Sequence, residues 1–221
     1  MYKSFLKRFI DIALSACGLV VLFPVFLILA IVVIIDDPGP VFFSQKRVGK
    51  KKNGAVTYFR LYKFRSMKMS TPHDMPTHLL EDPEQYITRV GAFLRKSSLD
   101  ELPQIWNILK GDMSIVGPRP ALWNQDDLVA EREKYGANGI TPGLTGWAQV
   151  NGRDELEIDV KAKFDGDYAK NVTFKMDVTC FFMTIANVLR HRGVVEGGTG
   201  ALAKHIEKRN EEIEKKGLGL K

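Results

Sequence analysis

The sequence predicts a membrane-associated α/β (α+β) protein: a re-entrant helical hairpin at the N-terminus, then a mainly helical cytosolic domain with one short β-hairpin. Three observations predict it. Ile12–Ile35 is an apolar run without a single charge, with Pro24 near its midpoint. Beyond it the chain is rich in charged residues. Val41–Val48 and Ala55–Tyr62 are β-rich runs separated by an Asn53-Gly54 turn signal.

As a straight helix the apolar run would reach about 36 Å, enough to cross a hydrocarbon core of roughly 30 Å. A cleaved signal peptide fits poorly, because the run is long and no small-residue cleavage site follows it. Pro24 lacks an amide donor and crowds the carbonyl of Val20, so a bend is expected at Phe23-Pro24. Lys3, Lys7 and Arg8 precede the run, and Lys46, Arg47 and Lys50–Lys52 follow it. Basic flanks favour the cytoplasmic side, so a hairpin entering and leaving on one face satisfies both better than a straight span. The carbonyl freed at the bend needs a partner, with Ser15 the candidate, because lipid supplies none.

The net charge of +6 suits an anionic membrane surface. Nucleic acid is set aside: there is no zinc-finger spacing, aromatic RNA-binding signature or recognition helix. Cys17 lies in the apolar run and Cys180 in a hydrophobic helical segment, so no disulfide is expected. The expected divisions are a membrane hairpin over 1–37, a cytosolic catalytic domain with interfacial helices over 38–196, and a charged tail over 197–221.

Within the domain, Met69–Pro83 reads as a surface loop. Ile87, Val90, Phe93 and Leu94 share one helical face ending near Arg95. A second helix is expected from about Asp100, burying Leu102, Ile105, Trp106 and Leu109 and ending at Gly111. Thr141–Arg153 holds three glycines and a proline and reads as loop or short strand; Asp154–Tyr168 reads as a helix. Val178, Phe181, Phe182, Ile185, Val188 and Leu189 form a broad apolar face, either core or membrane interface.

The adjacent carboxylates Asp100 and Glu101 lie between Arg95 and Arg119. That pattern suits phosphate chemistry: one carboxylate attacks or holds a divalent cation while guanidinium groups neutralise phosphoryl oxygens. Ser98-Leu99-Asp100-Glu101 equally fits a helix capping box, and both readings stand. Arg119 is the firmest cation, fixed in Gly117-Pro118-Arg119-Pro120. Lys63, Arg65, Arg95 and Arg153 could each be ordinary surface charges. Trp147 and Gln149 could stack on and hydrogen-bond a nucleobase, or Trp147 could anchor the loop. There is no Walker loop, HExxH, paired CxxC or Gly-x-Ser-x-Gly, and the four histidines are scattered.

Several motifs then follow in order: Val41-Phe42-Phe43-Ser44-Gln45-Lys46-Arg47, Tyr62–Met67, Ser98–Gln104, Lys110–Ser114 with Gly117–Pro120, and Pro142–Arg153. Together with the proline-broken hydrophobic start, they resemble the bacterial sugar transferase family, the monotopic phosphoglycosyl transferases, over roughly residues 1–193. The resemblance implies transfer of a sugar phosphate from a UDP-sugar to polyprenol (undecaprenyl) phosphate at the cytoplasmic face of the bacterial inner membrane. Polyprenol-diphosphate sugar and UMP are the products, in the first membrane step of cell-surface glycan synthesis. It also implies Asp100 as nucleophile, Glu101 in metal or proton handling, and Mg²⁺ held by the pair. Lys63, Arg95, Arg119, Gln149, Asn151 and Arg153 would bind phosphate or substrate. One departure is Phe23, where some members carry a serine before the bend proline. The transferred sugar and a homodimer are left open, and a non-catalytic membrane-anchored scaffold is the alternative function.

Overall fold

The computed structural model describes residues 2–71, 83–152 and 156–189. One long helix, α1 (Lys7–Asp36), follows a wide helical turn over Tyr2–Leu6. Helical structure runs through Pro24 without a break, so no separate turn divides two arms. A proline costs one hydrogen bond and crowds one carbonyl, which bends a helix without requiring that it end. Ser15 does not relieve the freed carbonyl. Its hydroxyl is buried and has no partner among the described residues.

Toward each of its ends α1 turns one stripe to the rest of the molecule. Lys7, Asp11, Ser15, Leu29 and Val33 are buried on it at helical spacing. Most of the other surface is exposed and apolar, including Val20, Val21, Phe23 and Ile35. By length and composition α1 could cross a membrane, and with its bare apolar surface it makes the chain membrane-associated.

Two residues of the basic N-terminal flank, Lys7 and Arg8, are bonded to the body of the protein. Lys7 Nζ pairs with Asp177 at 2.6 Å, and Arg8 donates to the Ile108 and Leu109 carbonyls at 2.6 and 2.8 Å. Asp11 accepts from the Ser114 hydroxyl and the Ile115 amide. At the far end, Asp36 accepts from the Val90 amide, and Asp37 pairs with Arg65. Both ends of α1 are therefore tied to the same body by charged groups.

Strands β1 (Phe42–Val48) and β2 (Tyr58–Phe64) form the expected antiparallel hairpin, with Phe43 opposite Lys63. Asn53 and Gly54 both adopt positive φ, and Lys52 and Ala55 exchange backbone hydrogen bonds across them, which makes the two-residue turn. Helix α2 (Arg89–Lys96) is capped by Thr88, whose hydroxyl accepts from the Gly91 amide. Gly91 lies so close to β2's end that a Cβ there would meet the Ser66 carbonyl oxygen at 2.0 Å. Leu94 packs with Leu29, Val33 and Phe64, while Phe93 is 61% exposed rather than on the buried face.

A short 3-10 turn, Leu99–Glu101, leads into α3 (Gln104–Lys110). The buried face of α3 is Gln104, Asn107 and Ile108; Trp106, expected inside, is half exposed. Gly111 ends the helix with φ 95°, as its position implied. Strands β3 (Ser114–Val116) and β4 (Gly143–Thr145) pair in parallel. Between them lies α4 (Asp126–Lys134), held to α6 (Ile158–Lys170) by the buried Arg132–Asp165 pair at 2.6 Å. A single turn, α5 (Trp147–Val150), follows β4, and α7 (Phe174–Leu189) closes the described chain.

Helix α7 is not simply a core helix. Asp177 and Cys180 are buried, but Phe174, Phe181, Phe182, Ile185 and Leu189 are exposed. Tyr2 meets the Phe174 ring edge-on, so this apolar face adjoins the start of α1, where Phe5 and Phe9 are also exposed. Cys17 and Cys180 are both free thiols. The loop expected over Met69–Pro83 and the charged tail lie mostly outside the described residues.

Candidate active site

The dyad does not cap a helix. Ser98 takes the left-handed conformation at φ 57° and makes no capping hydrogen bond, and α3 begins later, with Pro103 at the cap position. A capping serine needs extended backbone dihedrals, so the box cannot form in this geometry. Asp100 and Glu101 instead occupy the short turn before α3, with 6% and 8% of their surface exposed.

Three elements converge on them. Lys63, near the end of β2, reaches Glu101 Oε1 at 2.9 Å and Asp100 Oδ2 at 3.3 Å. Arg119, from the turn after β3, donates to Glu101 Oε1 at 2.8 Å. Arg95, near the end of α2, contributes its positive charge to Asp100.

The electrostatics separate the two carboxylates. Burial alone would raise both, since it penalises the charged form. At Glu101 the opposing charges of Arg119 and Lys63 outweigh burial and hold the carboxyl well below the usual range. At Asp100 burial wins. Lys63 and Arg95 pull the other way, the Glu101 charge adds to burial, and the carboxyl stays above its ordinary value. Glu101 is therefore the firmly ionised, tightly held member. Asp100 is the more basic and less encumbered one.

Asn107 ties α3 to β2, the strand that carries Lys63. This side chain is fully buried. It donates to the Arg60 carbonyl at 2.7 Å and accepts from the Tyr62 amide at 3.0 Å, so α3 completes the open edge of β2. Its own carbonyl accepts from the amides of Gly111, Asp112 and Met113. Sequence reasoning missed it. The available signal was one amide inside the apolar stretch Ile105–Leu109.

Arg119 is positioned by backbone against backbone. Gly117 donates to Thr145 O, and Gly143 donates to Pro118 O. A Cβ on Gly146 would meet Gly117 O at 2.0 Å, and one on Gly143 would meet Gly117 N at 2.1 Å. Glycine alone allows the Gly117–Pro120 turn and the glycine-rich loop to approach this closely. Arg47 of β1 donates to Pro120 O and steadies the far side.

The remaining expected residues are less central. Gln149 donates to Leu144 O and Asn151 to Trp147 O, contacts within their own loop. Arg65 is buried and holds Asp37 and the Pro40 carbonyl, a structural role. Arg153 lies outside the described residues.

No cluster of three or more carboxylate, histidine or cysteine ligands occurs among the described residues. The adjacent carboxylates Asp100 and Glu101 are the residues that could hold a divalent cation, which would complete its shell with substrate phosphates and water.

The comparisons with known proteins point to one family. Residues 2–191 match the bacterial sugar transferase family. The chain is 38% identical to the undecaprenyl-phosphate galactose phosphotransferase of Salmonella typhimurium over 205 residues, covering 86% of this chain and 42% of that protein. It is also 38% identical to the UDP-glucose:undecaprenyl-phosphate glucose-1-phosphate transferase of Xanthomonas campestris, covering 83% of this chain and 38% of the relative. An uncharacterized sugar transferase of Bacillus subtilis matches at 38% identity, covering 86% of this chain and 90% of that protein. The chain thus spans less than half the length of the first two relatives and most of the third. From residue 2 to residue 191, this chain belongs to the bacterial sugar transferase family.

Proposed function

We propose that the chain is a phosphoglycosyl transferase that moves a sugar phosphate from a UDP-sugar to polyprenol (undecaprenyl) phosphate through a covalent intermediate on Asp100. The observation that carries this reading is the unequal dyad: Glu101 is bound by two cations, and Asp100 has only the longer contact to one of them. A carboxylate nucleophile needs an oxygen that is not already neutralised.

Asp100 attacks the phosphorus that carries the sugar. The bond from that phosphorus to the bridging oxygen breaks, and UMP leaves with the electron pair. An oxygen of polyprenol phosphate then attacks the same phosphorus and displaces the Asp100 carboxylate, giving polyprenol-diphosphate sugar. Lys63 and Arg119 neutralise the equatorial phosphoryl oxygens, with Arg95 supporting the charge balance at Asp100. Mg²⁺ held by Asp100 and Glu101 would supply further charge neutralisation to the diphosphate. Two steps let a water-soluble donor and a lipid acceptor use one site in turn.

The contacts at the two ends of α1 support a membrane placement as well. Helix α1 is tied to the body at both ends, which supports a helix that enters and leaves the cytoplasmic leaflet of the inner membrane on one side. The exposed apolar face of α7 beside Tyr2 suits the headgroup boundary. Cysteines placed at Ser4 and Ser44 should both label from the cytoplasm; Ser4 labelling from outside would reject this topology.

The reaction is tested by UMP release from a panel of UDP-hexoses and UDP-N-acetylhexosamines with Mg²⁺, with and without undecaprenyl phosphate. Lipid-dependent release from one donor is expected, and it names the sugar. A folded protein that releases UMP from no donor, with its lipid present, would favour the scaffold.

A further inference from the structure

Gln104 is 1% exposed, and its side-chain amide nitrogen has no hydrogen-bond partner among the described residues. A buried, unpaired donor is costly, and a protein that keeps one calls for an explanation. Its place in the fold gives one. The backbone from Ser98 to Trp106 closes as successive three-residue turns: Glu101 N bonds Ser98 O, Leu102 N bonds Leu99 O, Ile105 N bonds Leu102 O and Trp106 N bonds Pro103 O. In such turns side chains three apart stand one above the other. Glu101, Gln104 and Asn107 therefore share a face. The first is bonded to Lys63 of β2, and the third to Arg60 and Tyr62 of β2. Gln104 lies between them on that face, three residues on from Glu101, and is buried.

In the free protein Glu101 already has two donors, Lys63 and Arg119. On the proposed reading of the site, on which this inference rests, those two cations are also the groups that a diphosphate recruits. Once they turn to phosphoryl oxygens, a buried carboxylate is left short of donors.

We infer that Gln104 is a positioning residue held in reserve: its amide donates to Glu101 in the loaded site and keeps that carboxylate aimed while Lys63 and Arg119 serve the phosphates. Its unpaired state in the free protein is then the counterpart of a bond made only with substrate bound. The residue acts through Glu101 and does not touch the reacting atoms.

The test uses the full chain in detergent with the UDP-sugar that supports lipid-dependent UMP release. Gln104→Met removes the amide and keeps the length; Gln104→Glu keeps the shape and removes the donor. Melting without ligand and steady-state kinetics are read for both. Because the donor is unpaired without substrate, Gln104→Met leaves Tm unchanged or raises it. It lowers kcat by about tenfold and moves the KM for the UDP-sugar less than about twofold, the pattern of a bond made after binding. Gln104→Glu loses at least as much kcat. A lower Tm in both variants assigns Gln104 to the fold and overturns the inference, as does a raised KM with unchanged kcat. Active wild type beside equally active variants refutes this inference alone, whereas an inactive wild type refutes the proposed function and the inference with it.

Discussion

Arg119 donates to Glu101 across 2.8 Å, and this contact joins the turn after β3 to the turn before α3. Each partner arrives on a short, stiff segment: a proline-flanked turn on one side, a 3-10 turn on the other. The pairing therefore fixes geometry as well as charge. Arg119→Lys keeps the charge but loses the planar fork, so kcat should fall by about tenfold or more with little change in Tm. Steady-state kinetics beside a melting curve checks this.

The two carboxylates should respond oppositely to neutralisation. Glu101's folded value is depressed, so its contribution to stability is present at neutral pH and is lost as pH falls through that value. Asp100's folded value is raised, so its ionised form costs stability at pH 7, a cost that disappears on acidification through the raised value. Without added metal at pH 7, Glu101→Gln should lower stability by about 1–3 kcal/mol. Asp100→Asn should leave Tm unchanged or higher while abolishing turnover. Both effects should shrink toward acid pH, and melting curves across pH test the signs.

Asn107 makes the β2 edge and the α3 terminus one unit. Asn107→Leu leaves the Tyr62 amide without its side-chain acceptor and should cost about 1–3 kcal/mol. Activity should fall further than stability alone explains, because Lys63 loses its register against the dyad. Denaturant titration and kcat on the folded fraction separate the two.

Gly146→Ala pushes a methyl group into the Gly117 carbonyl. The expected cost is about 1–3 kcal/mol, with Arg119 displaced. Gly136→Ala is the control for packing, since nothing lies within 4 Å of a Cβ there and only its positive φ of 71° opposes the change. Kinetics should show loss of kcat for the first variant alone.

Phe182 is 63% exposed on α7. Phe182→Glu should leave Tm in detergent unchanged and weaken partitioning to anionic vesicles by about tenfold, from the apolar burial forfeited. Co-flotation with vesicles measures it.

Much of this was legible in the sequence where local chemistry decides. The Asn53-Gly54 turn, the Gly111 stop and the uncharged run of α1 follow from residue type and spacing. The dyad was visible, but its surroundings were not. Local spacing made Ser98 a cap, whereas its left-handed backbone serves a turn that delivers Asp100 and Glu101 to Lys63, many residues away. Trp106 was placed inside by helical periodicity, yet α3 turns Gln104, Asn107 and Ile108 inward instead, with Asn107 bonded to β2, and leaves Trp106 half exposed. Lys7 and Arg8 looked like a membrane flank because their partners, Asp177 and the end of α3, are distant in sequence. The parallel pairing of β3 and β4 rests on glycine contacts that no local pattern encodes.

The central claim is the covalent step on Asp100. The most direct measurement is the intact mass of the protein after incubation with its UDP-sugar and Mg²⁺ but without lipid. The account predicts a gain of one phosphosugar on the wild type, localised to Asp100 by peptide mapping, absent in Asp100→Asn, and discharged by undecaprenyl phosphate. Lipid-dependent UMP release with no adduct under any condition would mean direct transfer and would contradict it.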